Sequence, residues 1–289
     1  MTAGLAASVH ARLLNRAKAR GEDFNLVLTR YAIERFLYRL SLAPARDAYW
    51  LKGALLFDLW FDVPHRPTRD ADFLGFGPAD TEALASTIRE ICGAAVDDGM
   101  EFDPASITIK AIREDARYGG LRVTLLGKLG NARCTVQLDV GCGDAVTPGP
   151  EEAVYPTLLD DQPPPRLRVY PRATVVAEKL EAMVSLGMAN SRMKDYFDLR
   201  ALAREGALDA RLLGDAIAAT FQRRGTALPA GVPLGLGDEF ARDATKLIQW
   251  KAFLGRNRLD APMLDEVIVE IRDFVAEPLR LARQRTLAP

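Results

Sequence analysis

The first 40 residues alternate between apolar and polar positions with the period of an α-helix. This pattern predicts two helices, over residues 4–20 and 24–40. Pro44 follows closely, and a proline at that position favours the end of the helical pair. The second predicted helix carries an apolar stripe that consists of Leu26, Tyr31, Ile33, Phe36, Leu37 and Leu40.

The pattern then changes to short β-branched and aromatic runs that are separated by glycine-containing turns. Asp80 is a typical N-cap for the helix predicted after the second of these runs. In chain order, the predicted elements are a strand over 48–51, a turn at Lys52-Gly53, a helix over 54–61, a strand over 70–76, a helix over 81–96, a strand over 106–114, and a hairpin with strands over 121–126 and 133–140 around a turn at 127–131.

Seven prolines lie between residues 148 and 171, which predicts a linker or an extended wrap over residues 146–171. After Arg172 the pattern is helical again, and Gly187 is expected to end the first of these helices. The further predicted helices are "KDYFDLRALARE", "ARLLGDAIAATFQRR", "GDEFARDATKLIQWKAFLG" and "LDEVIVEIRDFVAEPLRLARQR".

The order of helices, a mixed α/β segment and a helical half predicts the α+β class. We therefore expect a domain with a sheet and a mostly helical C-terminal domain. The predicted domains are N-terminal helices that pack on the core (1–45), an α/β domain (46–145), the Pro-rich linker (146–171) and the helical domain (172–289).

Composition adds limits on compartment and partners. Hydrophobic residues at 48% and charged residues at 27% are typical of a globular protein, and the net charge of −1 excludes a globally basic nucleic-acid binder. No apolar run reaches 18 residues, so no membrane partner is expected, and the start of the chain reads as an amphipathic helix rather than a signal peptide. The three cysteines, Cys92, Cys134 and Cys142, form no CxxC motif, which favours free thiols and a cytoplasmic location.

The stretch "RPTRDADFLGFG" carries the first candidate chemistry. Asp70 and Asp72 lie on one side of a predicted strand, although like charges in that arrangement repel each other. Asp139 is a lone carboxylate on the polar side of another predicted strand, and adjacent strands would bring all three carboxylates together. Such oxygen ligands suit Mg²⁺. The alternatives are a solvated turn for the D-x-D pair and an edge-strand charge for Asp139.

Gly53 lies at a predicted strand-to-helix turn just before the Asp pair. Free N–H groups at a helix N-terminus attract phosphate, and a glycine lets the backbone approach closely. The segment therefore predicts a phosphate site next to a metal site.

Two blocks of sequence resemble one family. The stretch "LKGALLFDLW…RPTRDADFLGF" resembles the opening motif of polymerase-β-like nucleotidyltransferases, and more closely that of the AbiEii/AbiGii toxin family, which includes the MenT-type toxins. The later block "VVAEKLEAMVSLGMANSRMKDYFDL" is similar to that family's lysine-bearing helix and the acidic motif after it. The resemblance covers roughly residues 48–205 and implies a polymerase-β-like nucleotidyltransferase domain with a mixed sheet.

The resemblance implies roles for individual residues. Asp70, Asp72 and Asp139 are implied as metal ligands and catalytic residues, joined by Lys179 at the triphosphate and Asp198 as a later essential acid. Thr68 is implied as a regulatory phosphorylation site. The family often has serine after the turn glycine, and this chain has alanine instead. The implied nucleotide-binding residues are Lys52, Gly53, Ala54, Arg69, Lys179 and Asp195.

Each of these residues also has an ordinary structural interpretation. Lys179 reads equally as a surface lysine beside the helix's apolar stripe, and Asp195 as an N-cap or part of a solvated acidic face with Asp198. Thr68 reads as a loop hydroxyl or a cap. Candidate RNA contacts, each of which is also an ordinary surface charge by itself, are Arg66, Arg69, Arg122, Lys128, Arg133, Arg192, Lys194, Arg223 and Arg224.

The function implied by the resemblance is a toxin of a bacterial toxin–antitoxin system. We expect Mg²⁺-dependent transfer of a nucleoside monophosphate from an NTP to an acceptor hydroxyl, expected to be the 3′ end of tRNA, with pyrophosphate released and translation blocked. The implied partners are the NTP, tRNA and a cognate antitoxin that acts as an inhibitor or a kinase. The alternatives are a nucleotidyltransferase that modifies a protein or small molecule, and a non-catalytic binding module on the same fold.

Overall fold

The computed structural model describes residues 2–61, 65–76, 80–114, 118–206 and 208–286. The chain divides into two compact units. Unit 1 comprises residues 1–143 and 151–169, and unit 2 comprises residues 144–150 and 170–289.

Unit 1 combines helices with one mixed sheet. Its elements are α1 (Thr2–Arg20), α2 (Phe24–Leu42), β1 (Tyr49–Lys52), α3 (Phe57–Trp60), β2 (Asp70–Gly75), α4 (Thr81–Cys92), β3 (Met100–Glu114), β4 (Tyr118–Leu129), β5 (Ala132–Cys142), β6 (Glu151–Val154) and β7 (Arg166–Val169).

The seven strands follow the order β3-β4-β5-β2-β1-β7-β6. Strand β2 pairs in parallel with β5, and β1 in parallel with β7, whereas the other neighbours are antiparallel. Helices α2 and α4 pack on the sheet. The buried positions alternate along the central strands, as at Ala71, Phe73, Leu138 and Val140, because successive side chains of a strand point to opposite faces.

Unit 2 is helical, as the apolar pattern after residue 172 predicted. Its helices are α5 (Arg172–Leu186), α6 (Met193–Glu205), α7 (Ala210–Arg224), α8 (Asp238–Arg242), α9 (Ala244–Asn257) and α10 (Leu264–Thr286). The α+β class predicted from the sequence is thus confirmed. None of the helices within the described residues is both long enough and apolar enough to span a bilayer.

Aspartate side chains begin several of these helices. Asp23 accepts a hydrogen bond from Leu26 N at the start of α2, and Asp80 caps α4 as predicted. Asp243 accepts from Lys246 N and has extended backbone angles, so it begins α9 and interrupts the single helix predicted over "GDEFARDATKLIQWKAFLG". Sequence periodicity continues across this break, which is why it was missed.

Residues 146–171 are not the linker that their prolines suggested. Strands β6 and β7 form an antiparallel pair within this segment, and β7 joins the edge of β1. The prolines lie before β6, between the two strands or after β7, where no ladder N–H is needed. The helix predicted over 81–96 is also shorter, since α4 ends at Cys92.

Candidate functional site

Three carboxylates converge on one face of the sheet in unit 1. The parallel pairing of β2 with β5 places Asp72 opposite Asp139, and Asp70 lies two residues earlier on β2. One carboxylate oxygen from each of Asp70, Asp72 and Asp139 lies within 4.8 Å of the others, and all three side chains are half-buried. The condition for convergence, that the strands of Asp70 and Asp139 are neighbours, is therefore met, and we name these three residues the sheet cluster.

The donor set of the sheet cluster fits a hard divalent cation. All three groups offer carboxylate oxygens, which is the ligand chemistry that Mg²⁺ prefers, and their partial exposure leaves room for water or phosphate oxygens to complete a coordination shell. The sheet holds the three side chains in register, so little ordering is required on binding.

Arg122 on β4 lies opposite Asp139 and forms a bidentate ion pair with it. Its Nε and Nη2 donate to the two Asp139 oxygens at 2.8 and 2.7 Å. The hydrogen bond to Asp139, together with the negative charge of Asp139, Asp70 and Asp72, raises the pKa of Arg122 despite partial desolvation. Sequence reasoning named Arg122 only as an RNA contact. The hairpin register could have placed it beside Asp139, because the two strands share a short turn.

Gly53 lies against the sheet cluster. Its φ of +74° is a left-handed conformation that favours glycine, and a Cβ built there would lie 2.0 Å from Asp72 Oδ2. No other residue type fits this position without displacing the Asp72 carboxylate. Lys52 lies opposite Asp72 at the end of β1, and Ala54 lies in the single 3₁₀ turn formed by Gly53–Leu56.

The helix predicted after this turn is short. The 3₁₀ turn runs directly into α3, which has only four residues. The backbone at Gly53 can therefore contact a phosphate, but no long helix dipole points at it. Thr68 Oγ1 donates a 2.6 Å hydrogen bond to Asp70 Oδ1, and Arg69 between them is exposed.

A second charged cluster lies inside unit 2. Lys179 on α5 donates to Asp195 Oδ1 and to Asp198 Oδ2 of α6, at 2.7 Å in both cases. The lysine side chain is 11% exposed, and the two aspartates are at most 1% exposed. We name Lys179, Asp195 and Asp198 the helix cluster. Arg192 adds a second cation at 2.7 Å from Asp195.

The burial of the helix cluster rules out the ordinary structural interpretations of its three residues. Lys179 is not a surface lysine, and Asp195 and Asp198 are not a solvated face. The residue before α6 is Arg192, so Asp195 is not an N-cap. Burial alone would raise the pKa of Asp195, but the charges of Lys179 and Arg192 outweigh it and hold that pKa below its usual value.

Some of the candidate RNA contacts are held in ion pairs within the protein. Arg224 lies inside unit 2 with Glu181 at 2.9 Å, Asp144 at 3.3 Å and Glu178 at 3.4 Å. This position does not suit it for contact with RNA. Sequence reasoning missed this network, because its carboxylates are far from Arg224 in the chain.

Comparison with known proteins identifies the family of this chain. The model of the AbiEii family, described as a nucleotidyl transferase AbiEii toxin of a type IV toxin–antitoxin system, matches residues 35–274. No curated protein matches the chain.

Among solved structures, the chain is similar to JHP933 from Helicobacter pylori, with 14% identity, a TM-score of 0.52, and coverage of 90% of this chain and 94% of that one. A second H. pylori structure, described as a "putative nucleotidyltransferase", shares 14% identity with a TM-score of 0.48, over 91% of this chain and 97% of that one. The first of these likenesses supports the fold. Because the family match spans most of the chain and contains both charged clusters, this protein belongs to the AbiEii family of nucleotidyl transferase toxins of type IV toxin–antitoxin systems.

Proposed function

We propose that this protein is an Mg²⁺-dependent nucleotidyltransferase that moves a nucleoside monophosphate from an NTP to the 3′ hydroxyl of tRNA. A tRNA extended in this way would no longer be aminoacylated, so translation would stop in the cytoplasm where the toxin acts. The observation that carries the proposal is the sheet cluster, whose three carboxylates lie within 4.8 Å of one another beside a glycine that admits no side chain.

The chemistry follows from what this site can hold. The acceptor hydroxyl oxygen forms a bond to the α-phosphorus while the bond from that phosphorus to the bridging oxygen breaks, and pyrophosphate leaves with the electron pair. Bound Mg²⁺ would neutralise the charge that develops on the attacking oxygen and on the leaving group. Asp70 and Asp72 would hold the metal, and Asp139 would help to hold it and would take the proton of the hydroxyl.

The nucleotide lies, in this proposal, on the side of the sheet cluster where β1 ends. The backbone at Gly53 and Ala54 approaches the phosphates closely, and Lys52 and Arg69 supply positive charge. The family resemblance implies that Lys179 contacts the triphosphate, that Asp195 takes part in nucleotide binding and that Asp198 is a later essential acid. The buried ion pairs of Lys179 support a fixed position for its ammonium group.

Thr68 is the proposed point of regulation. Its hydroxyl already bonds to Asp70, so a phosphate on it would bring about two negative charges against the sheet cluster. Phosphorylation by an antitoxin kinase would then prevent NTP binding. An antitoxin that acts as a direct inhibitor would leave Thr68 unmodified, and mass spectrometry of the protein co-expressed with its antitoxin distinguishes the two.

A transfer assay tests the proposal. Purified protein is mixed with total tRNA, Mg²⁺ and each α-³²P-labelled NTP in turn, beside the isosteric variant Asp70→Asn and the control Asp160→Asn, which changes an exposed carboxylate of unit 1. We expect label on tRNA from the wild type and from Asp160→Asn, and at least a ~10³-fold loss with Asp70→Asn.

Other outcomes assign the other functions. Label on a protein or small molecule in place of tRNA would show that the protein is a nucleotidyltransferase with an acceptor other than tRNA. Growth inhibition that is unchanged in Asp70→Asn, with no NTP binding by the wild type, would leave only a non-catalytic binding module.

A further inference from the structure

Charged side chains form one row across five strands of the sheet. The register places Lys110 opposite Arg122, Arg122 opposite Asp139, Asp139 opposite Asp72, and Asp72 opposite Lys52. The row therefore reads, from β3 to β1, two cations, two carboxylates and one cation. Because residues opposite each other on neighbouring strands project from the same face, all five belong to one surface.

The β3–β4 end of this row is accessible. Lys110 is exposed and forms no ion pair with any residue that the structure describes, and the Arg122 side chain is 44% exposed although it pairs with Asp139. The adjacent row on the same face runs from Thr108 through Thr124 and Gln137 to Asp70 of the sheet cluster. The two threonine hydroxyls lie 2.6 Å apart. The surface thus offers two cations and a set of uncharged hydrogen-bonding groups.

We propose that the two cations and their three uncharged neighbours form an acceptor face that binds the single-stranded 3′ end of an RNA. The acceptor face consists of Lys110, Arg122, Thr108, Thr124 and Gln137. This inference rests on the proposed function, since it identifies where the acceptor of that reaction lies. Lys110 and Arg122 receive backbone phosphates, and the terminal hydroxyl reaches Asp139.

The order of charges along the row sets the direction of the strand. A terminal nucleotide carries its 5′-phosphate on the other side of the ribose from its 3′ hydroxyl. With the hydroxyl at Asp139, the side toward β2 belongs to Asp70, Asp72 and the NTP of the proposed reaction, whereas a phosphate toward β4 meets Arg122. Lys110 is one strand further, so its backbone is about 10 Å from that of Asp139 by strand spacing, within reach of the same or the next phosphate.

The same order separates the two substrates. The acceptor approaches from β3 and β4, and the NTP lies on the side of β1, where Lys52 ends the row and Gly53 begins the turn. The carboxylates of the sheet cluster lie between them. The two cations bind the sugar-phosphate backbone of the RNA. The neighbouring threonine and glutamine side chains contact bases or riboses without selecting one base, as is common in single-strand binding.

The test measures RNA binding separately from catalysis. Fluorescence anisotropy records the affinity of a short labelled single-stranded RNA with a 3′ hydroxyl, without NTP, for the wild type, Lys110→Glu and the control Lys128→Glu. Lys128 was a candidate RNA contact by sequence, but in the structure it pairs with Asp103 at 3.3 Å and lies on the same face of β4 as Arg122, six residues away from it and outside the acceptor face. Both variants reverse one charge on the same hairpin, but only Lys110 belongs to the acceptor face.

We expect Lys110→Glu to weaken RNA binding about tenfold or more and to reduce its salt dependence by about one counterion, with Lys128→Glu within about twofold of the wild type. In the transfer assay, KM for the RNA rises in Lys110→Glu, whereas KM for the NTP and kcat stay unchanged. Equal losses in the two variants, or none in either, would overturn the acceptor face.

The two proposals can fail separately. RNA binding that depends on Lys110, without nucleotide transfer to any RNA, would contradict the proposed function and still support the RNA-binding surface. Transfer to RNA with unchanged RNA affinity and unchanged KM for RNA in Lys110→Glu would support the proposed function and contradict the acceptor face.

Discussion

The sheet cluster and the helix cluster are both built on neighbouring aspartates, but only the helix cluster contains its own cation. In the sheet cluster, Asp70, Asp72 and Asp139 are half-buried, and their oxygens lie within 4.8 Å of one another. In the helix cluster, the ammonium group of Lys179 lies between the two carboxylates at 2.7 Å from each, and both aspartates are buried.

We infer that the helix cluster is a clamp whose aspartates are neutralised by a lysine of the chain itself, and that the sheet cluster is open to an added cation. A buried cation between two carboxylates joins α5 to α6, and removing the cation leaves uncompensated charge in the interior. Neighbouring carboxylates that remain partly exposed repel each other, and this repulsion is relieved when a cation binds. We therefore expect substitutions in the helix cluster to change stability strongly, and substitutions in the sheet cluster to change ligand binding while stability changes little.

The largest expected effect comes from Lys179→Met. Because Asp195 and Asp198 would be left buried without their shared cation, the free energy of unfolding should fall by about 3–5 kcal/mol. Chemical denaturation followed by circular dichroism measures the change.

Lys194→Met is the matched control for this variant. Lys194 lies on α6 beside Asp195 but is exposed, so its loss should change stability by no more than about 0.5 kcal/mol. Equal effects of the two variants would show that the helix cluster is not a clamp.

Gly53→Ala should have the next largest effect. A Cβ at this position would lie 2.0 Å from Asp72 Oδ2, so the carboxylate must move, and the φ of +74° adds strain. Gly206→Ala is the control, since Gly206 has a φ of +68° with open space around it. We expect Gly53→Ala to lose about 2 kcal/mol more than the control, and to lose Mg²⁺ binding measured by calorimetry.

Equal losses in the two glycine variants would show that backbone strain alone explains them. Asp72 would then have no steric need for glycine at position 53.

Glu34 on α2 sharpens the comparison, because there burial outweighs the ion pair. Its side chain is 2% exposed, lies 2.6 Å from Arg35 and accepts a hydrogen bond from Leu158 N. Burial raises the pKa of Glu34 to about 7, although the positive charge of Arg35 opposes this shift. At Asp195, by contrast, the neighbouring cations outweigh burial and lower the pKa of that aspartate.

A raised pKa fixes the direction of the pH effect. The Glu34 carboxyl stabilises the folded state most below its ordinary pKa of 4.5, and this contribution is lost as the pH rises through about 7. The wild type should therefore lose about 1–2 kcal/mol of stability between pH 5 and pH 8. Glu34→Gln should flatten this profile, and Glu90→Gln, at an exposed position of α4, should not. A profile unchanged in Glu34→Gln would assign the pH dependence to other groups.

The sequence predicted the strand face of each member of the sheet cluster, because strand alternation is a local property. The pairing of β2 with β5, which brings Asp139 to Asp70 and Asp72, joins distant segments and entered only as a condition. Asp70 and Asp72 share a face by spacing alone, and the short hairpin of β4 and β5 placed Asp139 on a polar face. The pairing of Lys179 with Asp195 and Asp198 was not predicted, because it depends on how α5 packs against α6. The same limit explains the missed network around Arg224 and the strands hidden among the prolines of residues 146–171.

The smallest expected effect is a gain in stability from Asp70→Asn. Replacing one of the three carboxylates by a neutral amide removes like-charge repulsion, and the remaining oxygen can still accept from Thr68. Without Mg²⁺, the variant should be more stable than the wild type by about 0.5–1 kcal/mol.

Added Mg²⁺ should reverse this order. An ion that binds only the folded state stabilises it more as the ion concentration rises above the Kd, and the variant, which lacks one ligand, has the higher Kd. Thermal unfolding of both proteins with chelator and with Mg²⁺ measures the crossing. A variant that is less stable than the wild type in chelator would mean that Asp70 is held by compensating contacts, as in the helix cluster, and the contrast between clamp and binding site would then fail at this residue.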